Sequence, residues 1–332
     1  MNSYERYMGM VNGAKVDIVP RVPILMHYAA DFINSSYEEF CKDFRVMCKA
    51  NVDLVKEYNF DQLDIMSDPY RETTAWGGEI TYSKTTVPRC TFPLANSKDL
   101  NLLVNPVVKD SERLRNALDG IDYYKKLGFK KYSITGWVEG PAAEASSLKG
   151  IQSFMVNLLS DEKFACALMD RCLELAIEFA QIQINHGCDT IGIGDAIASQ
   201  VGPDIYDRLI QPREKILIES IHKFGGLARL HICGDTSSIL SGIADLGADI
   251  VDFDWQVNLI EARKHLGANV VISGNIDPVK DILYSNPKNI IQAFRNIYKE
   301  VGNPYFVNAG CEIPRGTPTE NLKALCEPIA AY

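Results

Sequence analysis

No run of apolar residues among the 332 approaches the roughly 18 that a membrane-spanning helix needs. The N-terminal stretch MNSYERYMGMVNGAKVD lacks the basic-then-apolar order of a secretory leader. There is no basic stripe with interleaved aromatics: 43 acidic side chains outweigh 34 basic ones, for a net charge of −9. Nucleic acid and membrane are therefore not expected as partners. Nor is there a cysteine framework. The nine cysteines, at 41, 48, 90, 166, 172, 188, 233, 311 and 326, are odd in number and irregular in spacing. That usage fits free thiols in a reducing cytoplasm, where a special cysteine is a ligand or nucleophile rather than a staple. Linkers, low-complexity tracts and internal repeats are missing too, so residues 1–332 read as a single domain.

What is present is an alternation. Short apolar runs recur at VPILMH (22–27), QLDIM (62–66), YSITG (132–136), TIGIGD (190–195), LARLHIC (227–233), DIVDFD (249–254), NVVISG (269–274) and YFVNAG (305–310). Longer segments of helical period separate them. SYEEFCKDFRVMCKANVDLV opens with Ser36 and Glu39 in capping-box spacing. In DEKFACALMDRCLELAIEFAQIQINHG a stripe through Phe164, Leu168, Leu175, Phe179 and Ile182 ends at Gly187. Pro212 is expected to kink or break the helix over PDIYDRLIQPREKILIESIHKFG. Strands separated by helix-length crossovers form a parallel sheet. Eight in succession predict an α/β fold closed into a single (β/α)8 TIM barrel, and no GxGxxG follows the first strand to favour a doubly wound sheet. Residues 69–106, with the pieces EITYS and TTVPR, read as a hairpin-and-loop insertion after the second strand.

Chemistry in such barrels gathers at the C-terminal strand ends. Those ends read His27, Asp68, Glu139, Asp195, His231 with Cys233, Asp252 with Asp254, Asn275, and Asn308 with Cys311. In a strand, residues two apart share a face, so the imidazole of His231 and the thiol of Cys233 project side by side. With Cys311 across the mouth they make a donor set that suits zinc. A cysteine in a strand is otherwise a small buried hydrophobe. Asp254 is the candidate fourth ligand, Asp252 its competitor, and either is also suited to orient His231. Glu139 and Asp195 are candidates for moving a proton, or for holding a substrate cation. Capping the helices that follow is the alternative. His27, Asp68, Trp137 and Asn275 are candidates for substrate binding. His186, His222 and His265 fall near helix C-termini, where imidazole complements the dipole.

At LHICGDTSSIL, GADIVDFDW, VVISGNIDP and NAGCEIPRGTPTENLKAL the chain resembles the uroporphyrinogen decarboxylase superfamily along essentially its whole length. The HxC pair followed by a late GC resembles its zinc-dependent methylcobamide:coenzyme M methyltransferase branch. That resemblance implies zinc held by His231, Cys233 and Cys311, with Asp254 where an acidic residue completes the sphere. It also implies methyl transfer between a corrinoid cobalt and a small molecule: a thiol, a folate or a methoxylated aromatic. No DxHxxG, the signature of corrinoid-binding modules, occurs here, so the corrinoid is expected on a separate partner protein. A homodimer is compatible with the sequence. The decarboxylase itself is the rival, and Asp68 falls near its essential aspartate. Its arginine-rich segment after the first strand is replaced here by ILMHYAADFINSS, which has no arginine to grip carboxylates. A zinc-binding barrel without catalytic activity is the remaining alternative.

Overall fold

A computed structural model describes residues 1–332. Seven parallel strands form one curled sheet: β1 (Gln62–Asp64), β4 (Ser133–Glu139), β5 (Thr190–Gly194), β6 (Leu227–Ile232), β7 (Ile250–Phe253), β8 (Val271–Ser273) and β9 (Tyr305–Phe306), adjacent in that order. The β1–β4 crossover carries the expected insertion, where β2 (Ile80–Thr81) and β3 (Arg89–Cys90) pair antiparallel. A five-residue helix, Arg71–Ala75, precedes that hairpin.

The eighth stave is not a regular strand. VPILMH was expected to be one, but the only parallel bridge here is made just before it, Arg21 with Val307. Pro20 and Pro23 have no N–H to donate to a ladder, which limits pairing here. The segment still joins both edges of the sheet: Val22 N–H donates to the Val307 carbonyl, and Asp61 N–H donates to the Arg21 carbonyl. The barrel closes through these bonds. His27 then opens the helix His27–Phe32 instead of ending a strand.

Local chemistry accounts for the helix boundaries. Ser36 and Glu39 form the capping box, yet the helix stops at Lys42. Asp43 turns extended and caps a second helix, Phe44–Tyr58, through the Arg45 amide. The 25-residue helix Glu162–His186 ends where Gly187 adopts φ 118°. Pro212 is accommodated by a π-helical turn over Tyr206–Ile210, after which the α-helix Gln211–Lys223 restarts with proline in its first turn.

One continuous apolar core fills the layer between barrel and helices. A smaller cluster, including Tyr7, Val22, Ile250, Val271 and Phe306, plugs the closed end under the helix Ser3–Val11. Beside it Asp61 receives Arg6 Nη1 at 2.5 Å and Arg21 Nε at 3.1 Å, all three side chains being buried.

Candidate metal centre

His231 lies near the end of β6, and Cys233 follows one residue after it. Cys311 comes from the segment after β9 and reaches them from across the mouth. His231 Nε2 lies 3.1 Å from Cys233 Sγ and 3.9 Å from Cys311 Sγ, and the two sulfurs are 3.3 Å apart. One donor atom from each residue falls within 4.8 Å of the others. No other group of three His, Cys, Asp or Glu side chains in the chain meets this spacing.

The imidazole is aimed from behind. Its Nδ1 is 3.2 Å from Asp252 Oδ2, which assigns the Nδ1 proton to that bond and turns Nε2 toward the sulfurs. Asp252 is gripped by Arg229, Nε to Oδ2 at 2.8 Å and Nη2 to Oδ1 at 2.9 Å. Burial would raise the Asp252 carboxyl, but the Arg229 guanidinium overrides it and holds the group well below the usual carboxylate range. Arg229 also donates to Gln62 Oε1 at 2.8 Å. Trp137 lies edge-on to His231, with ring centroids 6.1 Å apart, and its Nε1 donates to Asp64 Oδ2 at 2.9 Å. Gly192 permits this, because a Cβ there would sit 2.4 Å from the indole.

The trio carries one negative charge on a pair of sulfurs. A hydrogen bond from Cys311, with the charge of His231, pulls Cys233 down to about 4 against the opposing effect of burial. Cys311 is pushed up by that same bond and by burial. Burial works against a charged His231, yet the Cys233 thiolate and Asp252 raise its pKa well above 6.5. An imidazolium proton therefore balances a thiolate where a cation would otherwise do so. A tetrahedral ion with bonds of about 2.0–2.3 Å spaces its donors about 3.3–3.8 Å apart. The separations bracket that range, so the residues fit zinc with small side-chain adjustments.

Asp254 is not in this group. Its Oδ2 accepts the Gly234 amide at 2.7 Å and its Oδ1 the Trp255 amide at 2.8 Å, fixing the backbone just after Cys233. Asn275 uses its amide on the carbonyls of Asp254 and Val257, at 3.0 and 2.7 Å. Asp195 is fully buried and accepts the amides of Ala142 and Ala143 at the start of the helix Pro141–Lys149. Burial pushes it up to about 7 against those amide bonds. Asp68 is clamped by Arg113 through both oxygens. Glu139 ends β4 at the level of His231, two strands away, and only its backbone N–H is engaged, on Glu72 Oε1 at 3.0 Å. His27 stacks on Tyr37 and places Nδ1 3.3 Å from Glu312 Oε1, while its Nε2 is buried without a partner. The structure thus brings His231, Cys233 and Cys311 together and sets Trp137 beside His231. It gives Asp254, Asn275, Asp68 and Asp195 other partners.

Sequence reading missed Arg229, Glu72 and Glu312. Arg229 had a signal: it lies two residues before His231 in an apolar strand, on the same face. Glu72 and Glu312 had none, since a five-residue helix and a loop are too short or too irregular to show periodicity.

The fold is a parallel α/β barrel whose mouth carries an N,S,S donor trio that could hold a metal ion. The chain belongs to the uroporphyrinogen decarboxylase (URO-D) family, whose model matches residues 2–332. It is 26% identical over 308 residues to the uroporphyrinogen decarboxylase of Coxiella burnetii, covering 90% of this chain and 84% of that one. It is 27% identical over 240 residues to the methylcobamide:CoM methyltransferase MtbA of Methanosarcina mazei, covering 71% and 69%. Among solved structures, a methyltransferase from Methanosarcina mazei superposes with a TM-score of 0.88 at 23% identity, over 98% of this chain and 97% of that one. No helix is long and apolar enough to cross a membrane.

Proposed function

We propose that the protein is a zinc-dependent corrinoid methyltransferase, moving a methyl group between the cobalt of a separate corrinoid protein and a small molecule. The acceptor or donor class is a thiol, a folate or a methoxylated aromatic. The observation that carries this reading is the His231–Cys233–Cys311 trio, two sulfurs and a nitrogen converging from opposite sides of the mouth. Likeness to a methylcobamide:CoM methyltransferase supports it; likeness to decarboxylases is compatible with the fold but leaves the trio without a role.

His231, Cys233 and Cys311 would hold zinc, with Asp252 and Arg229 setting the imidazole. Asp254 reaches the fourth position only by releasing the Gly234 and Trp255 amides. When bound, zinc would lower a thiol's pKa or polarise an ether oxygen. The chain's residues align and shield the transfer. Trp137 floors the site beside His231. The buried Nε2 of His27 is a lone pair open to a substrate donor. Glu139 and Asp195 are the candidates for handling protons, and Asp68 and Asn275 hold the surrounding loops.

Elemental analysis of the purified protein tests the reading. About one zinc per chain is expected. Cys311→Ser should lose zinc together with methyl transfer between thiols and free methylcobalamin, or between methoxyarenes and cob(I)alamin. Unchanged zinc in that variant would overturn the ligand assignment. A chain that stays metal-free with zinc supplied would bring the decarboxylase reading forward.

A further inference from the structure

The mouth holds a second group of side chains with no metal-ligating role. Glu139 faces Gly194 of β5 in register, and Gly194 faces His231 of β6. Residues in register on parallel strands point the same way, so Glu139, Gly194 and His231 line one level of the barrel. Gly194 has no side chain, and a Cβ there would meet only the Glu139 carboxylate, at 3.8 Å. A notch therefore runs from that carboxylate toward the metal donors.

The groups that act most strongly on the Glu139 carboxyl are acids. Burial, then Glu72, Glu144, Asp195 and Asp68, drive its pKa well above the usual carboxylate range. Glu144 is 2% exposed and has one oxygen on Thr73 and the other, Oε1, without any partner. The two arginines nearby are occupied: Arg113 on Asp68, and Arg71 on the Ile65 carbonyl and Met47 sulfur. A half-buried carboxyl that faces other carboxyls, with no hydrogen bond and no cation of its own, holds its proton more tightly. That environment, set in register with the metal donors, suits Glu139 to act as an acid rather than as a base.

That distinguishes the two directions of transfer. Methylating a thiol releases a proton and needs a base. Removing methyl from an ether leaves an oxygen that needs a proton. We propose that the methyl donor at this site is a methyl ether, and that Glu139 supplies the proton its departing oxygen takes up. The proposal rests on the methyltransferase reading above. In the balanced step, the reduced Co(I) corrinoid of the partner gives an electron pair to the methyl carbon. The carbon–oxygen bond breaks with its pair on oxygen. The Glu139 proton moves to that oxygen, and the carboxylate is reprotonated from solvent.

The test uses the zinc-loaded protein, free cob(I)alamin and methoxyarenes whose phenols differ in acidity. Glu139→Gln should keep its zinc and lose about 10²–10⁴-fold in rate on the least acidic leaving group, the range for general acid catalysis. The loss should shrink as the phenol becomes more acidic. Independently of turnover, the infrared C=O band of a protonated carboxylic acid should lose one component in Glu139→Gln at neutral pH. Gly194→Ala, which meets Glu139 only at ordinary contact distance, should fold, bind zinc and raise KM by filling the notch. Full activity of Glu139→Gln on the poorest leaving group, or an ionised Glu139 in the infrared, would overturn the proposal. Thiol methylation from methylcobalamin with no ether cleavage would overturn it while leaving methyl transfer standing. No turnover in either direction with zinc bound would remove both.

Discussion

The two ends of this barrel handle buried charge in opposite ways. At the closed end Asp61 is matched by two guanidinium groups, Arg6 and Arg21, and by the Arg21 amide. At the open end Asp68 is matched by Arg113, but Glu72, Glu139, Glu144, Asp195 and Glu214 are carboxyls whose pKa values are raised, chiefly by burial. Matched charges hold the staves of a barrel together. Unmatched acids and crowded thiols cost stability and are kept where a ligand or a proton will use them. Asp252 and Arg229 stand between these extremes: a matched pair, built like the closed end, that serves the mouth by aiming His231.

The largest effect should come from unbalancing the closed end. Asp61→Ala leaves the buried Arg21 guanidinium without a carboxylate and Arg6 with Asp17 alone, and should cost about 3–5 kcal/mol, read from urea denaturation. Zinc content of the folded fraction should be unchanged, since the cluster lies at the other end of the strands. A variant that unfolds normally but loses metal would erase the division between the two ends.

Asp252→Asn is the intermediate case. It keeps the shape but removes the charge that sets the His231 tautomer, and zinc affinity should fall about 10–100-fold in a chelator competition. It also weakens the Arg229 clamp, so some stability should go with it. Unaltered affinity would mean that Asp252 belongs to the structural pairs alone.

The smallest effect should be Glu144→Gln. Burial first, then Glu72, raises the folded pKa of Glu144 well above 4.5. An acid with a raised folded pKa binds more protons folded than unfolded between the two values. Its contribution is therefore fully present below about pH 4.5 and is lost as pH rises toward the folded pKa. Replacing it should change stability near pH 4.5 by less than about 1 kcal/mol and flatten the decline above that pH. A wild-type chain whose stability does not fall with rising pH in that window, or a variant with the same slope, would show Glu144 to be ionised and matched after all.

Much of the fold was legible because its signals are local and periodic. Seven of the eight expected staves form strands, and the capping box at Ser36 and the stop at Gly187 are in place. The first run misled because VPILMH is apolar enough for a strand, while Pro23 within it and Pro20 just before it cannot donate to a ladder. The helix expected from Ser36 onward broke at Asp43, whose side chain gains more by capping a new helix than by continuing the old one.

The sequence by itself determined the order of staves and the residue types at their ends. Spacing of two along one strand places His231 beside Cys233 whatever the rest of the chain does. Only the tertiary structure decided which distant groups meet them. Cys311 is 78 residues from Cys233 in the chain and 3.3 Å from it in space. Asp252 contacts His231 while Asp254, two residues on, is turned to backbone amides. Both aspartates have the same strand parity, so periodicity could not choose between them. The choice was made by Arg229, and by the curl of the sheet that sets β7 against β6 at His231.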